Sequence, residues 1–168
     1  MNDTTQLLGT LKNLMAADDY PVAGPVAPDV MTDLMDKTPP AEWEPHKKAV
    51  YGDIQRLVSS RPDYAEMLSI MDGFEYNGLT MYNLVQGEND EPLWSNIYIR
   101  NFEVRDSEIY VDPNLTDKVL IGEDGMSLFT YSFDDNCFEI RDKASTDYVI
   151  ESHGNFSDFL SALIETVS

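Results

Sequence analysis

Three kinds of residue are scarce in this 168-residue chain, and each scarcity excludes something. There is one cysteine, Cys137, so no internal disulfide can staple the fold. There are two histidines, His46 and His153. With a lone thiol they cannot assemble a zinc site of the usual kind. Lysine and arginine number 11 against 31 aspartates and glutamates, a net charge of −20. Direct binding to DNA, RNA or an anionic membrane is disfavoured, because their phosphates would be repelled. No run approaches the ~18 apolar residues that a membrane span needs. The opening Met1-Asn2-Asp3-Thr4-Thr5 lacks the basic start and apolar stretch of a signal peptide. A cytoplasmic protein is the expectation.

What is present suits one domain, 1–168. Hydrophobic residues make up 42% of the chain, and a domain of this size buries roughly 70% of its unfolded surface. The charge is uneven. Residues 1–61 carry a net −3 and residues 62–168 a net −17. That asymmetry favours a basic partner or a solvated acidic surface.

Leu7, Leu8, Leu11, Leu14 and Met15 repeat at helical spacing over residues 4–17. A proline-rich connector follows from Tyr20 to Pro28. Val30, Met31, Leu34 and Met35 predict a short second helix before Pro39-Pro40. Val50, Tyr51, Ile54, Leu57 and Val58 line a third. Ser60, Pro62 and Asp63 read as the cap and first turn of a fourth, striped by Tyr64, Met67, Leu68 and Met71 and stopped at Gly73.

From Leu79 the period becomes two. Leu79, Met81 and Val85, then Ile97 and Ile99, read as strands. An acidic loop, Gly87 to Pro92, separates them. Val119-Leu120-Ile121 is a short strand. Phe129, Tyr131 and Phe133 share a face of the next, and Phe138 and Ile140 return after a turn at Asp134-Asp135-Asn136. Tyr148-Val149-Ile150 adds a further strand. Phe156, Phe159, Leu160, Leu163, Ile164 and Val167 form a terminal amphipathic helix capped by Asn155. The class is α+β: an antiparallel β-sheet meander flanked by N-terminal helices and a C-terminal helix.

No catalytic constellation stands out. Cys137 lies inside an alternating strand, where an inert buried thiol is the common case. A Cys137–His153 dyad is therefore disfavoured. Asp112, Asn114, Thr116 and Glu123 have spacings reminiscent of a calcium loop, but Asp117 replaces the glycine of its sharp turn and a strand follows. No serine elbow and no phosphate-cradling glycine loop is visible. Catalytic residues, cofactors and metals are all expected to be none. Trp43 and Trp94 each lie beside acids and fit either a core or an interface anchor.

One order of motifs carries a resemblance. Gly73-Phe74 ends a helix, Asn77-Gly78-Leu79 opens a strand, and Tyr82 follows. Val119-Leu120-Ile121-Gly122-Glu123-Asp124 precedes the aromatic strand Leu128-Phe129-Thr130-Tyr131. The return reaches Ile140-Arg141-Asp142, and an F-x-x-F-L helix starts at Phe156. This order resembles the SUKH superfamily and its YrhA-like branch over about residues 50–168. A core from 46 onward and a variable helical extension over 1–45 are expected. The resemblance implies an immunity protein that neutralises a cognate bacterial toxin by occluding its active surface. Because interface residues do not transfer within such a family, they are read from the charge. The expected sites are the loop Glu88, Asp90, Glu91 and Trp94, the stretch Glu103, Asp106, Glu108 and Asp112, and a second cluster of Glu123, Asp124, Asp134 and Asp135, all on the outer sheet face and its loops. A basic nuclease domain is the natural partner. A non-catalytic intracellular scaffold and an acidic nucleic-acid mimic are the alternatives.

Overall fold

The computed structural model describes residues 3–85, 95–106 and 111–168. Four helices come first: α1 (Thr4–Ala17), α2 (Pro28–Asp36), α3 (Pro45–Ser60) and α4 (Pro62–Ile70). A hairpin, β1 (Phe74–Tyr76) and β2 (Leu79–Met81), leads to α5 (Ile97–Val104). Then come β3 (Lys118–Glu123), β4 (Ser127–Ser132), β5 (Cys137–Asp142), β6 (Val149–His153) and α6 (Phe156–Glu165). The strands form one antiparallel sheet in the order β1-β2-β3-β4-β5-β6, a plain meander. The α+β arrangement thus follows the sequence reading. Among the described residues no helix is long and apolar enough to cross a membrane.

Local chemistry explains the boundaries. Asp3 caps α1 by accepting from the Thr5 N–H at 2.9 Å. Asn155 caps α6 by accepting from the Asp158 N–H at 2.8 Å. Proline opens α2, α3 and α4, where its missing N–H costs nothing. Asn77 and Gly78 both take positive φ, 49° and 84°, which suits a two-residue hairpin turn between Tyr76 and Leu79. The core joins Leu8, Leu11 and Met15 of α1 to Phe156, Phe159 and Leu160 of α6 and to the inner sheet face of Val119, Phe129, Tyr131 and Phe138. The N-terminal segment therefore supplies a core helix.

Three expectations need correction. Ile97 and Ile99 are helical, in α5, rather than a strand. The Asn96 side chain accepts from the Tyr98 and Ile99 N–H groups at 2.9 and 3.4 Å and starts a helix, a signal that two alternating isoleucines cannot outweigh. Val85 lies beyond β2, which ends at Met81. Ser60 belongs to α3 and caps nothing. Asp63 instead accepts from the N–H of Tyr64 at 3.0 Å and of Phe156 at 2.8 Å, so it ties α4 to the start of α6.

Between β2 and β3 the chain solves an edge problem. β2 pairs only with Gly122 and Glu123 of β3. Upstream, α5 takes the place of a strand. Asn101, nearly wholly buried, donates to the Leu120 carbonyl and accepts from the Leu120 N–H, at 2.8 and 2.9 Å. Arg105 donates to the Lys118 carbonyl at 2.7 Å. Both backbone groups of Leu120 and the Lys118 carbonyl thus find side chains, while the Lys118 N–H donates to the Leu115 carbonyl at 3.1 Å.

Arg61 closes the other end. Its guanidinium donates to Asp63 at 2.7 and 3.1 Å, to the Asn136 carbonyl at 3.2 Å and to the Gly154 carbonyl at 2.8 Å, and it lies 4.8 Å from the Phe138 ring centroid. Burial alone would raise the Asp63 carboxyl. The Arg61 hydrogen bonds and charge, with the Phe156 and Tyr64 N–H groups, outweigh it and hold the carboxyl below its ordinary value. Arg61→Ala should cost about 2 kcal/mol in urea unfolding, because a half-buried carboxylate and two carbonyls lose their donor. Asp63's folded value is depressed, so its contribution is present above the unfolded value near about 4 and is lost as pH falls through the folded one. The gap between parent and variant should therefore narrow below about pH 4. A constant gap would refute the pairing.

Gly122 sits beside the β3 bulge. A Cβ there would lie 2.4 Å from the Thr80 carbonyl oxygen, a backbone atom that cannot swing aside. Gly122→Ala should lower stability by about 2 kcal/mol or more, while Gly125→Ala, which meets open space, should be nearly silent to the same unfolding measurement.

Candidate interaction surface

The charge-based sites divide into separate groups. Glu88, Asp90, Glu91, Trp94 and Glu108 lie outside the described residues. Glu103, Glu123 and Asp124 come together around two cations. Arg100 on α5 pairs with Glu103 at 2.7 Å and reaches Glu123 at 3.4 Å. Lys143 pairs with Glu123 at 2.8 Å and donates to the Asp124 carbonyl at 2.8 Å. The Tyr82 hydroxyl donates to Glu123 at 2.9 Å. Burial pushes the Glu123 carboxyl up, but Lys143, Tyr82 and Arg100 outweigh it and hold the group below its ordinary value. Beside this network is a polar cleft of about 440 Å³ lined by Ser95, Asn96, Ile99, Arg100, Glu103 and Glu123.

The other acids do different work. Asp112 accepts from the Asn114 N–H at 2.9 Å and from the Thr146 hydroxyl, joining two loops. Asp106 is half-buried at the end of α5. Asp124 accepts from the N–H groups of Met126 and Ser127 at 2.8 and 2.7 Å and shapes the β3–β4 turn. Asp134 and Asp135 are exposed in the β4–β5 turn, at the opposite end of the strands from Asp124. They do not join Glu123 and Asp124 in one cluster. The calcium-like set is not brought together either: Asp112 is engaged with Thr146, and Glu123 with Lys143 on β3's end.

The outer sheet face also departs from expectation. Thr130, Glu139 and Arg141 are buried there, with Glu139 bound to Arg141 at 2.9 Å and to the Thr130 hydroxyl at 3.0 Å. A buried carboxylate needs such partners. The exposed surplus is carried by turns, loops and helix surfaces instead.

Residues that the charge-based reading missed occupy one end of the sheet. Met126 in the β3–β4 turn is 81% exposed, Tyr148 before β6 is 59% exposed and Ile150 on β6 is 46% exposed. The backbone brings Met126 and Tyr148 to the same end, since the Lys143 N–H donates to the Met126 carbonyl and the Asp142 N–H to the Tyr148 carbonyl, and Ile150 follows Tyr148 by two residues. β6 ends the strand order, so among the described residues one side of it has no strand partner. Asp124, Asp147 and Glu151 border the apolar trio in sequence. Met126 followed a glycine in an acidic turn, out of step with any alternation, and that misplacement was the available signal.

No family model matches the chain, and no solved structure matches it. Among curated proteins the chain is similar to the putative uncharacterized protein YrhA of Escherichia coli (strain K12). The two are 27% identical over 128 residues, covering 76% of this chain and 91% of that protein.

Cys137 and His153 lie on opposite faces of the sheet. His153 is in register with Phe138 and contacts Phe159 on the inner face, whereas Cys137 pairs with Ser132 on the outer. The ligand atoms of Asp135, Cys137 and Glu139 fall within 4.8 Å of one another, yet Glu139 is already held by Arg141. Burial, then the charges of Glu139 and Asp135, push the Cys137 thiol up. A thiol so placed is a poor nucleophile and a poor metal ligand. Its reaction with a disulfide reagent at pH 7.5 should be at least about tenfold slower in the native protein than in the unfolded chain. Equal rates would show the thiolate to be available.

Proposed function

We propose that this protein is an immunity protein of the SUKH superfamily that acts in the cytoplasm, binding a basic bacterial toxin domain and occluding its active surface. The observation that carries the reading is the exposed apolar trio Met126, Tyr148 and Ile150 at one end of the sheet, with carboxylates next to them in sequence, in a chain of net charge −20. Isolated exposed apolar residues mean little, but a cluster with a charged rim has the anatomy of a protein interface. The motif order from Gly73 to the terminal helix and the similarity to YrhA support the family; YrhA itself is described as uncharacterised, so that similarity brings no activity with it.

The two parts have different tasks. The acidic field attracts a basic partner and orients the encounter over roughly 8 Å at physiological salt. A nuclease cleft, which must hold phosphates with cations, is the complementary surface. The apolar trio supplies contact area that loses its water on docking and keeps its strength at high salt.

Affinity capture from the native lysate, followed by mass spectrometry and co-expression with the captured protein, tests the reading. A stoichiometric basic toxin domain whose toxicity is relieved by this chain is the expected result. An acidic partner, or toxicity that persists, would sink it; endogenous regulatory proteins would indicate a scaffold, and competition by DNA a nucleic-acid mimic. With the complex in hand, Tyr148→Ala should weaken binding about 30-fold through faster dissociation. The pair Asp124→Lys and Glu151→Lys should instead slow association and flatten its salt dependence.

A further inference from the structure

A second cleft lies between α2, α3 and α5, apart from the surface just described. Four aromatic rings follow one another around it. Centroid separations are 5.9 Å for Trp43–Tyr51, 5.3 Å for Tyr51–Tyr98, 6.5 Å for Tyr98–Phe102 and 5.9 Å for Phe102–Trp43. Val30 and Leu34 of α2 complete the wall, and the space is about 310 Å³, the size of a small-molecule pocket. None of α2's residues is fully buried. Its apolar stripe packs half-buried against the core, and Val30 and Leu34 of that stripe also border the cleft.

Two features specify the occupant. The hydroxyls of Tyr51 and Tyr98 are buried without a hydrogen-bond partner, although Tyr51 as a whole is only 6% exposed. Native structures rarely leave such groups unsatisfied, because each costs about 1–3 kcal/mol. Burial raises both phenols above their ordinary range, so at neutral pH they are donors. The second feature is charge. Lys37 lines the cleft, and the Lys47 ammonium lies 5.8 Å from the Phe102 ring centroid. Among the described residues neither lysine has an ion-pair partner, in a chain with 31 acids. Aromatic walls also attract quaternary ammonium groups, but here a cation would meet two lysines and leave two phenolic donors unmatched.

We propose that this cleft binds a small, flat, apolar carboxylic acid. The ring system packs against Trp43, Tyr51, Tyr98 and Phe102, and the carboxylate accepts from the Tyr51 hydroxyl, with Tyr98 and Lys37 as further donors. The site is independent of the toxin-binding reading, and neither stands or falls with the other.

Three probes that share one body separate the possibilities: 2-naphthoate, 2-naphthylmethanol and trimethyl(2-naphthylmethyl)ammonium. Each is titrated into the full chain by calorimetry, with amide chemical shifts locating the site. Saturable binding of one naphthoate per chain, tighter than either other probe and perturbing α2, α3 and α5, is expected. Tyr51→Phe keeps the ring and removes an unsatisfied hydroxyl. It should leave the thermal midpoint unchanged or higher while weakening naphthoate about tenfold, a combination that a merely structural hydroxyl would not give. The proposal is overturned by ammonium binding as tightly as naphthoate, by shifts confined to other surfaces, by absence of saturation, or by unchanged affinity in Tyr51→Phe.

Discussion

The Arg61 guanidinium is the constraint on which the arrangement of layers depends. Helices α3 and α4 meet at this residue, and its five donors face three separate stretches of chain: Asp63 at the head of α4, Asn136 in the β4–β5 turn and Gly154 before α6. Asp63 extends the reach by capping the first N–H of α6. Hydrophobic burial alone would press helices onto a sheet without deciding where each ends. One planar cation, held over Phe138 and saturated by oxygens, sets the relative positions of helix junction, sheet end and terminal helix. Removing it would hand the half-buried Asp63 carboxylate and the carbonyls of exposed Asn136 and Gly154 to water, and the three stretches would lose their common donor.

A matching device works at the opposite end of the helical layer. Asp72, after α4, accepts from the Leu84 and Val85 N–H groups at 2.6 and 3.1 Å. Its own N–H donates to the Gly24 carbonyl at 2.9 Å. The carboxyl is pushed up by burial, and the two N–H groups work against that shift. The chain leaving β2 is thereby delivered to α5, where Asn101 and Arg105 act as a strand neighbour for β3. An eight-residue helix in a sheet edge is unusual in economy: it removes an exposed ladder that could recruit another strand.

Those same interactions mark where sequence reading succeeds and fails. Periodicity located α1, α3, α4 and α6 because each buries a stripe of three to five large apolar residues. It located β3, β4 and β5 through alternation and turn chemistry. It failed at Ile97 and Ile99, where the decisive signal was one asparagine side chain and the pattern was too short to have a period. β1 was missed because three residues between Gly73 and Asn77 cannot announce a strand. The acidic bias is expected on the loops and on the outer sheet face; turns such as Asp134-Asp135 do carry exposed acids, whereas Glu139 on that face is buried. Alternation says which residues share a face, but a polar residue on that face can be solvated, like Ser152, or buried in a pair, like Glu139 opposite it. Distinguishing them requires the loops that fold over the sheet, and those contacts are distant in sequence. The apolar trio was equally hidden, since exposure of Met126 or Tyr148 is a property of the assembled end.

α5 has three faces, and together they define how its surroundings are organised. Ile97 and Asn101, one turn apart, are buried against β3. Tyr98 and Phe102, also one turn apart, wall the aromatic cleft. Arg100 and Glu103 line the polar cleft on the remaining side. The geometry follows from 3.6 residues per turn on a helix of eight residues. A rotation that improved one face would misalign the other two, and the buried Asn101 forbids it by holding both backbone groups of Leu120. The helix is thus anchored by its polar core contact, while its other two sides line the two clefts. Asn96 and Ile99 border both clefts, so a group entering either one meets the same short, fixed helix. The acidic network and the aromatic wall are separate in chemistry but share this rigid support, because one asparagine satisfies a strand edge that the meander itself leaves unpaired.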